Sequence, residues 1–164
     1  TERRREQLDK AQERERAALL PAPGAYFGTV GAVALDASGH IAAATSTGGM
    51  TNKRWGRVGD APVIGSGTWA DANCGVSGTG WGEFYLRTAA AHAICARVGL
   101  RGDALATAAH AVINEEIVAL GGDGGAIALD RRGNIAMPFN TSGMYRAWLK
   151  PDGTRGTAIF RDDK

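Results

Sequence analysis

A threonine that follows a glycine at the head of an apolar run, as in GTVGAVALD at residues 28–36, carries a hydroxyl that becomes a nucleophile once a base can take its proton. Histidine does not supply that base. His40, His92 and His110 fall on a turn and on two helical stretches, and the chain has no GxSxG elbow. A threonine can act without histidine if the peptide bond before it is cut, because a free α-amino group, with a reference pKa of about 7.7–8.0, can accept the hydroxyl proton. Gly28 suits such a cut: lacking a side chain, it lets the peptide before Thr29 adopt a strained geometry and lets the hydroxyl reach the preceding carbonyl. Taken alone, the same Gly-Thr pair is a weak signal and reads first as an ordinary β-branched strand opener.

The other groups with chemistry are Thr45, Thr47, Arg57, Asp60 and the TGWG stretch from Thr79 to Gly82. Arg57 and Asp60 alone would be a surface ion pair. TGWG is glycine-rich but lacks the Lys-Ser/Thr that holds phosphate and magnesium, which excludes a nucleotide loop, and no HxxxH, HExxH or CxxC offers a metal site. Neither a cofactor nor a metal is expected from these residues. Cys74 and Cys95 stand far apart in sequence and are expected to be buried free thiols in a reducing compartment. With 19 basic and 17 acidic residues interleaved, and a net charge of +2, there is no field to gather nucleic acid or an anionic membrane. The longest apolar run is interrupted by His92 and Arg97, so it reads as a core helix and not a membrane span. No signal peptide is visible, and a cytoplasmic location is expected. A start at Thr1 without methionine points to a processed product or a piece of something larger.

The elements that must position these groups follow from patterning. The 164 residues, 44% hydrophobic, suit one domain. Its 24 glycines, about twice the usual share of roughly 7%, imply tight turns or close backbone approaches. Residues 1–19 read as a solvated helix, and LPAPGAYFG at 20–28 reads as a linker. TVGAVALD, a short ASG turn and HIAAATST predict a β-hairpin whose strands are buried on both faces. A three-residue loop with Gly39 left-handed pairs Asp36 with His40 and sets Thr29 opposite Thr47. The stretch AVALDASGHIAAATSTGGM at 32–50 recurs as AIALDRRGNIAMPFNTSGM at 126–144, with ten of nineteen positions identical. Two copies are too few for a solenoid and predict two similar hairpins in stacked sheets. WGEFYLRTAAAHAICARVGL and GDALATAAHAVINEEIVAL between them predict an antiparallel helix pair, and GTAIFRD a last strand. The order β-β-α-α-β-β-β gives an α+β class with helices packed on antiparallel sheets.

TSTGGMTNK with GRVGD, the surrounding run from Gly28 to Asp71, GVSGTGWGEFYLR, and GGDGGAIALDRRGNIAMPFNTSGMYRAW closely resemble the plant-type L-asparaginase and isoaspartyl (β-aspartyl) peptidase family of N-terminal-nucleophile hydrolases. Glycosylasparaginases share TST and GRVGD but not GGMTNK and are the alternative, as is an uncleaved or non-catalytic precursor fragment. The resemblance implies an αββα sandwich, of which this chain supplies roughly half, residues 1–28 ending the α region and 29–164 forming the β subunit. It implies self-cleavage between Gly28 and Thr29, with Thr29 then the nucleophile and Thr47 its hydrogen-bonded support. Arg57 would bind the substrate α-carboxylate, Asp60 its α-ammonium, Thr79 and the Gly80 amide the oxyanion, and Gly82 would touch substrate through its backbone. Trp81 stands where the family varies, and Thr45 has no implied role. The implied substrates are L-asparagine and β-aspartyl dipeptides, releasing L-aspartate. The implied partners are the α region of the same precursor, which in this family often carries a structural sodium, and a second αβ heterodimer.

Overall fold

The computed structural model describes residues 1–17 and 28–161. The expected linker, up to residue 27, and the last two residues of the expected first helix lie outside them. Helix α1 (Glu2–Ala17) has exposed side chains through most of its first three turns, as a helix with few large apolar residues should.

Strands β1 (Thr29–Leu35) and β2 (Ile41–Thr47) pair antiparallel, with Thr29 opposite Thr47. The turn between them has Gly39 at φ +85° and an Asp36 N–H donating to His40 O over 3.0 Å. The Asp36 carboxylate accepts the Ser38 and His40 amides at 2.8 Å each, and these backbone donors, that of His40 foremost, hold its carboxyl below the ordinary range.

The repeated stretch builds the same turn again. β5 (Gly124–Asp130) pairs with β6 (Ile135–Ala136), Leu129 lies opposite Ile135, and Gly125 bridges to Phe139. Each pairing is one from the first hairpin moved by 94 residues. Asp130 accepts the Arg132 and Asn134 amides at 2.8 and 2.9 Å. The second copy is shorter as a ladder because Pro138, which accepts from the Ala126 amide over 3.0 Å, has no N–H to return.

Between the two hairpins lie two strands that were not expected from the sequence, β3 (Thr68–Ala70) and β4 (Cys74–Gly80). They complete an antiparallel sheet in the order β3-β4-β5-β6. Along β4 the pleat separates two faces. Cys74 and Val76, with Ala126 and Ala128 of β5, join the helical core. Gly75 and Ser77 face the β1–β2 hairpin so closely that a Cβ on Gly75 would lie 2.7 Å from Ile41 Cγ2 and 2.8 Å from Val33 Cγ1. The hairpin therefore stacks on this sheet, as the repeat suggested. Its strands are not buried on both faces, however: Val30 is 72% exposed, and Ala32, Ala34, Ala42 and Ala44 are exposed as well. Among the described residues only the face toward β4 and β5 is covered.

On the other side of the sheet lie α2 (Gly82–Thr88) and α3 (Ala90–Ala96), which runs on as a wider π-type turn over Arg97–Arg101. Then come α4 (Leu105–His110), a π-type turn over Ala111–Glu116, and α5 (Ile117–Ala119). Tyr85, Ile94, Val112, Ile113 and Ile117 are almost wholly buried there. The first helical stretch, expected to be continuous, is broken at Ala89, whose φ is +47°. The break lets the Ala91 and His92 amides at the start of α3 donate to Ser66 O and Gly65 O, at 3.1 and 2.8 Å. This satisfies donors that a helix start otherwise leaves open.

Cys74 and Cys95 are not free thiols. They form a disulfide with Cα atoms 5.5 Å apart, joining the start of β4 to α3, and so do not argue for a reducing compartment. The expected last strand is β8 (Arg155–Ala158), paired with β7 (Arg146–Leu149), which was not expected from the sequence. Arg146 anchors this pair, stacking 4.9 Å from the Phe139 ring centroid and donating to Ile159 O and Phe160 O. The architecture is mixed α+β, with three antiparallel sheets among the described residues. No helix among the described residues is long and apolar enough to cross a membrane.

Candidate active site

The β1–β2 register places Thr29 across from Thr47 at the end of the hairpin that meets Gly28. The Thr29 hydroxyl donates to Thr47 Oγ1 over 3.1 Å, and Thr47 Oγ1 donates to the Gly28 carbonyl over 3.0 Å. Thr47 also accepts the Gly49 amide at 2.9 Å. A hydroxyl carries one proton and two lone pairs, so all three contacts are satisfied with a single direction of donation, from Thr29 through Thr47 to the carbonyl that precedes Thr29. Residues 29, 31 and 33 and residues 47, 45 and 43 share the hairpin face turned to β4. Val33 sits over Gly75, and a Cβ on Gly31 would lie 2.9 Å from Ser77 Cβ.

Thr79 and Gly80 close β4 opposite Gly125 and Gly124. The strand end is held from below by Tyr85, 1% exposed, whose hydroxyl lies 2.9 Å from both Thr79 O and Gly125 O. Burial, first of all, keeps that phenol protonated by pushing its pKa far above the ordinary value. Gly80 adopts φ +151°, and a Cβ there would strike the Asp123 carbonyl. Trp81 is half-buried and packs edge-on against Phe84 at 5.5 Å, which ties it to the loop and helix start. Its amide donates to Asp123 O over 3.1 Å.

Asp60 is 8% exposed, with its carboxylate lodged between two glycines. A Cβ on Gly67 would come within 2.7 Å of Oδ2, and one on Gly82 within 2.5 Å of Oδ1. Burial raises its pKa, opposed by its own amide, the Arg57 charge and the Ala61 amide. Arg57 is half-buried on a turn closed by its amide to Arg54 O at 3.3 Å. The guanidinium lies 3.7 Å from Met50 Sδ and folds over Gly59, where a Cβ would meet Nη1 at 2.7 Å. A buried anion beside a cation and a glycine face suits a zwitterion, and the Arg fork suits a carboxylate.

The structure thus brings Thr29 to Thr47, Asp60 to Gly82 and to the field of Arg57, and Thr79 to Gly80 at one strand end. Tyr85 was missed in the sequence because GEFYLR reads only as a helix. Thr45, noted without a role, bonds to Ser77, which had drawn no attention. The three histidines are exposed. Among the described residues no group of three or more His, Cys, Asp or Glu could hold a metal ion.

Comparison with known proteins gives the same direction. Over 169 residues the chain is 51% identical to the isoaspartyl peptidase of Escherichia coli K12, covering 99% of this chain and 52% of that protein. It is 54% identical over 137 residues to the isoaspartyl peptidase of Salmonella typhimurium LT2, covering 83% of this chain and 44% of that one. Bos taurus isoaspartyl peptidase/L-asparaginase is 42% identical over 160 residues, 97% of this chain and 51% of the bovine protein. The chain spans about half the length of the curated relatives it matches. Residues 1–159 match the model of the asparaginase family, Asparaginase_2, and this chain belongs to that family.

Proposed function

We propose that this chain is the catalytic part of an autoproteolytic threonine amidohydrolase that releases L-aspartate from β-aspartyl dipeptides and L-asparagine. The observation that carries the reading is the hydrogen-bond path from Thr29 through Thr47 to the Gly28 carbonyl. In self-cleavage Thr29 Oγ1 attacks the Gly28 carbonyl carbon while its proton passes to Thr47 and the Thr47 proton passes to the carbonyl oxygen. Collapse breaks the C–N bond, the nitrogen takes a proton, and the Gly28 acyl group sits as an ester on Thr29. Water then hydrolyses the ester, freeing the Gly28 carboxylate and a Thr29 that bears both hydroxyl and α-amine.

The freed amine is the base for turnover. Arg57 and Asp60 grip the α-carboxylate and α-ammonium of the aspartyl unit, and Thr79 with the Gly80 amide stabilises the oxyanion as Thr29 attacks the side-chain carbonyl. Ammonia or an amino acid departs, and water releases aspartate from the acyl-enzyme. Gly82 offers its backbone to the substrate beside Asp60. The reading assigns residues 1–28 to the end of an α region and 29–164 to the β subunit. The open outer face of β1–β2 and the half-length match to relatives support completion by that α region into an αββα sandwich. No observation favours the glycosylasparaginase alternative.

The test is intact mass after incubation of the full-length protein. A break between Gly28 and Thr29 that Thr29→Ala abolishes, together with aspartate release by the cleaved form alone, is expected. A chain that stays whole while hydrolysing asparagine would overturn the mechanism.

A further inference from the structure

Behind the paired threonines lies a second hydroxyl pair that the proposed chemistry does not use. Thr45 Oγ1 lies 3.0 Å from Gly67 O, to which it donates, and 2.6 Å from Ser77 Oγ. A carbonyl can only accept, so the single Thr45 proton goes to Gly67 and Ser77 must be the donor to Thr45. The direction is fixed: Ser77 to Thr45 to Gly67. Ser77 is 4% exposed, and neither hydroxyl reaches the reacting atoms by this route.

What the path joins is informative. Thr45 is two residues from Thr47 on the same strand and face. Gly67 is the residue whose amide donates to Asp60 O over 3.1 Å and whose carbonyl also takes the Gly78 amide at 2.8 Å. It is pressed against Asp60 so tightly that a Cβ would lie 2.7 Å from the carbonyl carbon, carbonyl oxygen and Oδ2 of that residue. Ser77 lies two residues before Thr79 on β4. One half-buried hydroxyl thus ties together the strand of Thr47, which pairs with that of Thr29, the strand of Thr79 and the loop that carries Asp60.

We infer that Thr45 is a positioning residue: with Ser77 it forms a strut that holds the Asp60 carboxylate at a set distance from Thr29, so that a substrate gripped by its α-ammonium presents its side-chain carbonyl to the nucleophile. The inference rests on the proposed role of Asp60. Misplacement by about 1 Å can cost about 10²-fold in rate, which makes such a strut consequential without any contact to substrate.

Thr45→Val keeps the shape and removes the donor, and Thr45→Ser keeps the donor. In the full-length protein, Thr45→Val is expected to self-cleave within about twofold of the unsubstituted rate, since Asp60 takes no part in that step. Its kcat/KM for asparagine should fall about 10- to 100-fold, with Thr45→Ser restoring most of it. Calorimetry with two probes isolates the cause: L-aspartate should bind about tenfold more weakly to Thr45→Val, and succinate, which lacks the ammonium, equally to both. Equal weakening for both probes, a matching loss of self-cleavage, or no change for aspartate would overturn the strut. Failure of aspartate to bind the unsubstituted protein would overturn the assignment of Asp60 and the strut with it.

Discussion

The Asp60 carboxylate and Gly82 are in such close contact that a methyl group on residue 82 would reach within 2.5 Å of Oδ1 and 3.2 Å of the Asp60 backbone nitrogen. Part of this clash is with main chain and cannot be relieved by a rotamer change. Gly82→Ala is therefore expected to displace Asp60, lowering kcat/KM for asparagine by about 10²-fold while self-cleavage at Gly28 continues. Steady-state kinetics and intact mass on the same preparation check both halves.

Asp60 also sets a pH dependence. Burial holds its folded-state pKa above the ordinary carboxylate value, so between the unfolded value of about 3.9 and the folded value the folded chain binds more protons than the unfolded one. Stability contributed by this residue is full below that window and falls as pH rises through it. Asp60→Asn is expected to remove the fall, giving a higher Tm than the unsubstituted protein near neutral pH and no gain at pH 3.5. The ammonium binding proposed for Asp60 needs the ionised form, so aspartate affinity should rise with pH over the same window and lose that rise in Asp60→Asn. Thermal denaturation and calorimetry from pH 3.5 to 8 measure the two trends, which run in opposite directions.

In the proposed mechanism Thr47 is the relay of the self-cleavage path. Thr47→Val leaves the strand and its packing in place but removes both the acceptor for Thr29 and the donor to Gly28 O. Loss of one such donor costs about 10²–10³ in rate, and the rate of appearance of the β fragment should drop by that factor. Thr47→Ser should retain cleavage.

Ala89 supplies a test of the fold away from the site. A non-glycine residue in the left-handed region costs about 1–2 kcal/mol, and Ala89 stands there at φ +47°. Ala89→Gly relieves that cost against a larger loss of chain entropy, for an expected net gain of about 0.5–1 kcal/mol. Urea denaturation should show a raised midpoint with an unchanged slope.

The hairpin and its paired threonines were legible because local chemistry determines them. Asp36, Gly39 and His40 specify the turn, the turn specifies the register, and the register puts Thr29 beside Thr47. Strand β4 was hidden for the opposite reason. Gly75, Gly78 and Gly80 are poor strand formers, but each is there for close packing: against Ile41 and Val33, against Tyr85, and against the Asp123 carbonyl. The bend at Ala89 answers to the carbonyls of Gly65 and Ser66, more than twenty residues earlier, so no local pattern signals it. The disulfide has the same origin, since only the packing of α3 on β4 brings Cys74 to Cys95. For the site, Arg57, Asp60 and the glycines were identified by resemblance. The Thr45–Ser77 contact crosses from one sheet to the other and left no mark in either strand's sequence.

The hydrogen bond from Thr47 to Gly28 O has a consequence for timing. In the proposed scheme the chain is its own first substrate and can serve only once, because hydrolysis turns that carbonyl into a departing carboxylate. The Thr47 proton then loses the acceptor it was fixed on, just as an amine appears on the neighbouring residue. The product of the single event is the catalyst for all later ones, so the maturation clock and the enzymatic one run on the same hydroxyl pair.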